Sequence, residues 1–160
     1  MPRPLLLALS IALAATPLAP TLAQDASEPD PIVEVDQTDA AMNAAKDEAR
    51  ETLDQWLAVL ADPPEGASDI LFKFPLGGWE HIWVGNVARD GDTLTGNLAN
   101  APHSEGYAYG DPVRVPLTQV SDWTWRDATG YVHGHRTTRV LFDQLDPETV
   151  EAIKRDFGWE

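Results

Sequence analysis

The chain has 160 residues, with 26 Asp and Glu against 11 Lys and Arg, four His and no Cys, for a net charge of −15. That balance repels nucleic acid and anionic membrane surfaces. The lack of cysteine excludes disulfides, thiolate chemistry and a lipid anchor at cysteine.

Residues 1–23 have the three parts of a secretory signal peptide. Arg3 gives the positive start, an apolar stretch runs from Leu5 to Leu18, and small residues end it at Thr21-Leu22-Ala23. The apolar run is about 14 residues, short of the roughly 20 that span a bilayer. The expectation is cleavage near Ala23-Gln24, a periplasmic or secreted protein, and no stable membrane anchor afterwards. Cleavage would remove Arg3 and no acid, leaving the mature chain more acidic still. Residues 24–38, with Asp25, Glu28, Pro29, Asp30, Pro31, Glu34 and Asp36, have little to bury and read as a flexible acidic leader.

Residues 39–158 read as one domain, too short for two ordinary cores. A long helix is expected from Asp39 to Leu60. Asp39 suits the N-cap, with Thr38 as the alternative. Met42, Ala45, Ala49, Leu53, Trp56 and Leu60 form one stripe at helical spacing, and Pro63-Pro64 ends it. Strands follow at 69–75, 80–88 and 93–99, the last two joined by a tight turn at Asp90-Gly91-Asp92. Residues 101–110 read as a loop and 112–117 as a strand. Residues 121–126 and 130–135 read as a second hairpin. A short turn over 138–145 leads to a helix started by Asp146-Pro147-Glu148 and closed by Gly158. Helix, sequential strands and helix predict an α+β fold: a curled antiparallel sheet of five to six strands, with a long N-terminal and a C-terminal helix packed on it.

Several pieces of the β region resemble the YegJ-like domains of unknown function (the DUF 2314 family). They are Phe72-Lys73-Phe74, Glu80-His81-Ile82-Trp83-Val84, and the spaced set Gly91, Leu94, Gly96, Leu98, Asn100 and Pro102. Gly110-Asp111 with Val113 and Val115, Ser121-Asp122-Trp123 and Thr137-Thr138-Arg139-Val140-Leu141 complete the pattern. The likeness covers about residues 39–145. Such domains tend to carry Gly-Gly near the last hairpin, where this chain has His133-Gly134-His135. The resemblance implies membership in an uncharacterised family and no particular reaction.

No catalytic constellation stands out. Ser68, Ser104 and Ser121 lack a Gly-x-Ser-x-Gly elbow, and Gly77-Gly78 leads to Trp79 and not to a phosphate-binding helix start. Glu80 and His81 are neighbours on a strand, so they point to opposite faces and do not act on one atom together. Glu80, on an apolar face, should be neutral or paired, with Lys73 or Arg114 as partner. His133 and His135 share a strand face but need a third ligand for a metal; His103, Asp111 or Asp122 would supply it only by accident of fold, so no metal site is expected. No cofactor is expected either.

Six tryptophans are many for this length. Trp79, His81 and Trp83, and likewise Trp123 and Trp125, read either as core or as a partly open platform for a sugar ring or a peptide. The expected binding site lies where Glu80, His81 and Trp83 meet Asp122 and Trp123, because strand interiors seldom hold such polar groups. Three functions fit. The first is an exported, non-catalytic binding or interaction module for an envelope glycan, peptide or basic protein. The second is an envelope hydrolase or lyase using Glu80, His81 or Asp122, and the third is an acidic inhibitor or immunity-like protein masking a basic partner. An exposed aromatic groove, a cleft with a perturbed carboxylate beside an imidazole, or a flat acidic face would separate them.

Overall fold

The structure of the protein is a computed structural model that describes residues 39–160. The signal peptide, its cleavage point and the acidic leader expected from the sequence lie outside the described residues.

The first helical region starts as its cap residue dictates: the Asp39 side chain accepts a hydrogen bond from the Met42 amide at 2.9 Å. It is not the single long helix expected over 39–60. It divides at Thr52 into α1 (Ala40–Glu51) and α2 (Leu53–Ala61). Two contacts explain the break. The Thr52 hydroxyl donates to the Glu48 carbonyl at 2.6 Å, a side-chain bond that competes with the helix ladder. The Trp123 indole N–H donates to the Ala49 carbonyl at 2.9 Å, taking the acceptor that the Leu53 amide would use in an unbroken helix. The apolar stripe survives the break, with Met42, Ala45, Ala49, Leu53, Trp56 and Leu57 all buried.

Six strands follow: β1 (Ser68–Leu76), β2 (Glu80–Asp90), β3 (Thr93–Leu98), β4 (Pro112–Pro116), β5 (Asp122–Arg126) and β6 (Val132–Gly134). They form one open antiparallel sheet in the order β4-β3-β2-β1-β5-β6. The α+β class and the strand count agree with the sequence reading. The order adds a feature that it lacked: β5 pairs with β1 on the far side of the meander, not with β4. The chain makes this crossing through a short 3-10 turn, Leu117–Gln119, and through Val120, which is fully buried. The register slips once between β1 and β5 and once between β2 and β3. Asp69 and Asn86 sit at those slips with left-handed backbone (φ 49° and 51°), as bulges that increase local twist.

Alternation along β1 sorts the sheet into two sides. Phe72, Phe74 and Leu76, with Ile82, Val84, Leu98 and Trp123, pack against Ala49, Leu53, Trp56 and Leu57. The Trp56 and Phe72 rings meet edge-on at 6.2 Å. The opposite row of β1 carries Lys73, with Trp83 of β2 on one flank and Asp122 of β5 on the other. The tail adds α3 (Arg136–Val140), a 3-10 turn (Leu141–Gln144) and α4 (Pro147–Phe157), which is capped by Asp146 and closed by Gly158 at φ 68°. Among the described residues no helix is long and apolar enough to cross a membrane.

Candidate functional site

The five residues expected to form the site divide between the two sides of the sheet. Glu80 and Trp123 face the core; His81, Trp83 and Asp122 share the Lys73 side.

Glu80 stands on the apolar row of β2, beside Ile82 and Val84, and pairs with neither Lys73 nor Arg114. Arg114 bridges to Asp90 at 3.1 Å, and the Lys73 ammonium donates to the Thr137 hydroxyl at 3.1 Å. The Glu80 carboxylate instead accepts from the His103 amide, the Ser104 amide and the Ser104 hydroxyl, each at 2.8 Å. Burial pushes its pKa up, but the three donors outweigh this and hold it below the usual carboxylate value. Sequence reasoning missed this partner because it is a loop backbone, and an amide carries no signature in the sequence. Glu80 thereby fastens the loop after β3 beside the β1–β2 turn.

Asp122 is fully buried at the start of β5. Its carboxylate accepts from the amides of Trp123 (2.9 Å), Arg136 (3.3 Å) and Thr137 (2.8 Å) and from the Thr137 hydroxyl (2.6 Å). Thr137 therefore links Lys73 to Asp122. Burial lowers the Lys73 pKa, the Asp122 charge pulls it back up, and Lys46 lowers it again. The sequence pattern offered no sign of Thr137 as the hinge of this chain of bonds, because it lies 64 residues from Lys73.

His81 brings its Nδ1 within 2.8 Å of the Ser121 hydroxyl, which also reaches the Lys73 carbonyl at 3.2 Å. Burial, then the charges of Lys46, Lys73 and Arg50, lowers the imidazole pKa to about 4, so it is neutral at ordinary pH. A serine beside a neutral histidine has the composition of a nucleophile and its base. Ser121, however, is only 1% exposed, so its oxygen is closed to an incoming substrate.

Trp83 is half-buried. The Lys73 ammonium lies 4.4 Å from its ring centre, and the His135 ring packs on it at 4.5 Å. Trp123 is a core residue with the Arg136 guanidinium against its face at 4.5 Å. Neither presents an open face to a ligand. The two histidines of the last hairpin also part company. His133 stacks on Trp125 at 4.2 Å and its Nε2 lies 2.8 Å from Asp127 Oδ2. The left-handed backbone of Gly134 and His135 turns the second ring toward Trp83 and Phe157. Among the described residues no group of three or more His, Cys, Asp or Glu is arranged to hold a metal ion.

Open aromatic surface lies elsewhere, at the end of the sheet that Glu80 organises. Trp79, in the β1–β2 turn, is 52% exposed; Tyr107 and Tyr109, in the loop between β3 and β4, are 46% and 52% exposed. The two segments adjoin at Ser104, whose hydroxyl and the Trp79 indole nitrogen both crowd the Cβ direction of Gly77, at 3.5 and 3.3 Å. Tyr107 and Tyr109 were within the loop expected at 101–110, where only their spacing between glycines hinted at outward-facing rings.

Residues 39–160 match the model of the family described as uncharacterized proteins conserved in bacteria, DUF2314, and the chain belongs to that family. The match runs through α4, beyond the 39–145 stretch that carried the resemblance. No curated protein and no solved structure matches the chain.

Proposed function

We propose that this protein is an exported, non-catalytic binding module of the bacterial cell envelope, whose binding surface is the aromatic rim of Trp79, Tyr107 and Tyr109. The observation that carries the reading is the exposure of these three rings on segments tied together by Glu80. Large exposed rings on a fixed backbone supply contact area at small ordering cost. Glu80 is a positioning residue in this reading. The binding surface in this reading is the β1–β2 turn with the β3–β4 loop, and not the Lys73 side of the sheet where His81, Trp83 and Asp122 lie. The hydrolase or lyase alternative built on Glu80, His81 and Asp122 has less support, because Glu80 and Asp122 spend their lone pairs on internal donors and Ser121 is closed. Export rests on residues 1–23, and mass spectrometry of protein made in a Gram-negative host is expected to find a mature start at Gln24.

The test compares the wild-type protein with a Trp79→Ala, Tyr107→Ser, Tyr109→Ser triple variant on immobilised envelope fractions. Retention by wild type alone, with both proteins melting at the same temperature, is the expected result. Turnover of an envelope substrate that His81→Ala abolishes and the triple variant retains would overturn the reading.

A further inference from the structure

We propose that the aromatic rim docks an arginine-bearing basic segment of a partner protein; this rests on the binding-module reading and names the partner class for the same surface. The argument begins with the loop that carries the tyrosines. It is fastened at both ends. Glu80 holds the His103 and Ser104 amides. At the other end the Asp111 carboxylate accepts from the Ala108 amide at 2.8 Å, the Gly110 amide donates to the Leu98 carbonyl at 2.9 Å, and the Asn97 side chain donates to the Gly110 carbonyl at 2.9 Å. Tyr107 and Tyr109 are thus presented on a backbone that need not reorganise when a partner arrives.

The charge around the rim is one-sided. From Phe74 to Ala88 and again from Leu98 to Val113, the stretches that form this end of the sheet, the chain has no lysine or arginine, while the second stretch holds Glu105 and Asp111. Glu105 is exposed and, among the described residues, its carboxylate makes no hydrogen bond or ion pair. The exposed rings of Trp79, Tyr107 and Tyr109 and the uncommitted carboxylate two residues before Tyr107 are the two kinds of group that recognise a guanidinium. The plane of arginine stacks on the rings and its N–H groups reach the carboxylate. The net charge of −15 adds a field that draws a cationic partner in. A neutral sugar gains from the rings but nothing from that field.

The experiment titrates the purified protein with three probes: a peptide of alternating arginine and glycine, its lysine counterpart, and a neutral hexasaccharide, following tryptophan fluorescence and calorimetry. The arginine peptide is expected to bind about tenfold more tightly than the lysine peptide. Tyr107→Ser with Tyr109→Ser, and separately Glu105→Gln, should each weaken it by about tenfold or more without moving the melting temperature. Equal affinity for the two peptides, or binding indifferent to these variants, would reduce the effect to diffuse charge and overturn the proposal. Hexasaccharide binding that the tyrosine variant abolishes would keep the module and replace its partner class. No binding of any probe would overturn the partner class and leave the module to the retention test.

Discussion

Asp122 is a carboxylate that the fold cannot spare. Four donors from Trp123, Arg136 and Thr137 converge on it, and Lys73 is reached through the Thr137 hydroxyl. Asp122→Ala strips the acceptor from all of them and leaves the half-buried ammonium without its countercharge. The expected loss is about 3–5 kcal/mol, the range for breaking a buried charge network from one side, read as a drop in the denaturant midpoint. His135 contributes to acid sensitivity at the same scale. Burial, then Lys73, Arg139 and Arg126, lowers its pKa from 6.5 to about 3. The unfolded chain takes up this proton as pH falls below 6.5, whereas the folded chain refuses it until about pH 3. Its contribution to stability is therefore complete above pH 6.5 and is lost on acidification across that window. His135→Asn, which keeps a residue tolerant of a left-handed φ, should flatten the fall of melting temperature between pH 6 and pH 4 by about one proton's worth, up to 1.4 kcal/mol per pH unit. His81, lowered to about 4, retains part of the slope.

At the scale of elements, two substitutions separate what docks from what positions. Trp56 is fully buried, meets Phe72 edge-on and donates its indole N–H to the Thr124 carbonyl at 3.0 Å. Trp56→Ala should cost about 3–5 kcal/mol, as large core truncations do, and calorimetric melting measures it. Glu80→Gln acts on the 101–111 loop. It replaces a charged acceptor of three bonds with an amide that cannot serve all three donors. Hydrogen exchange at His103 and Ser104 should speed up, and retention on envelope fractions should weaken while the rings themselves are unchanged. The strands and the last helix were legible in the sequence because their signals are local: period-two apolarity at Ile70, Phe72 and Phe74, Asp-Gly at the β2–β3 turn, Asp146-Pro147 and Gly158 around α4. The helix break at Thr52 was not legible, since the Trp123 indole that occupies the Ala49 carbonyl lies 74 residues away. For the same reason the division of the expected site residues between the two sides of the sheet was only partly legible. Strand alternation put Glu80 and His81 on opposite faces, as observed, yet nothing local said that Trp123 would be core or that Glu80 would close on a loop backbone.

At the scale of the whole molecule, an open sheet has two free edges, and unpaired strand edges invite other chains. The two edges are blunted differently. β4 begins and ends with proline, which has no N–H to offer a further strand. β6 is only three residues long, and its Val132 carbonyl, which faces away from β5, accepts the Trp159 indole N–H at 2.7 Å. Trp159 is held in turn by Arg139 over its ring at 3.7 Å and by Phe157 at 4.9 Å, and Arg126 ties the end of α4 through the Asp156 carbonyl. No residue of α4 is itself buried, and the hydrophobic cluster at the centre of the fold draws nothing from beyond Trp125. The C-terminal helix therefore acts less as a pillar of the fold than as a guard posted on an open border. Removing residues 147–160 should leave the cooperative melt of the remaining domain nearly intact. It should also turn a monodisperse protein into one whose light scattering climbs with concentration, as β6 of one molecule pairs with β6 of the next.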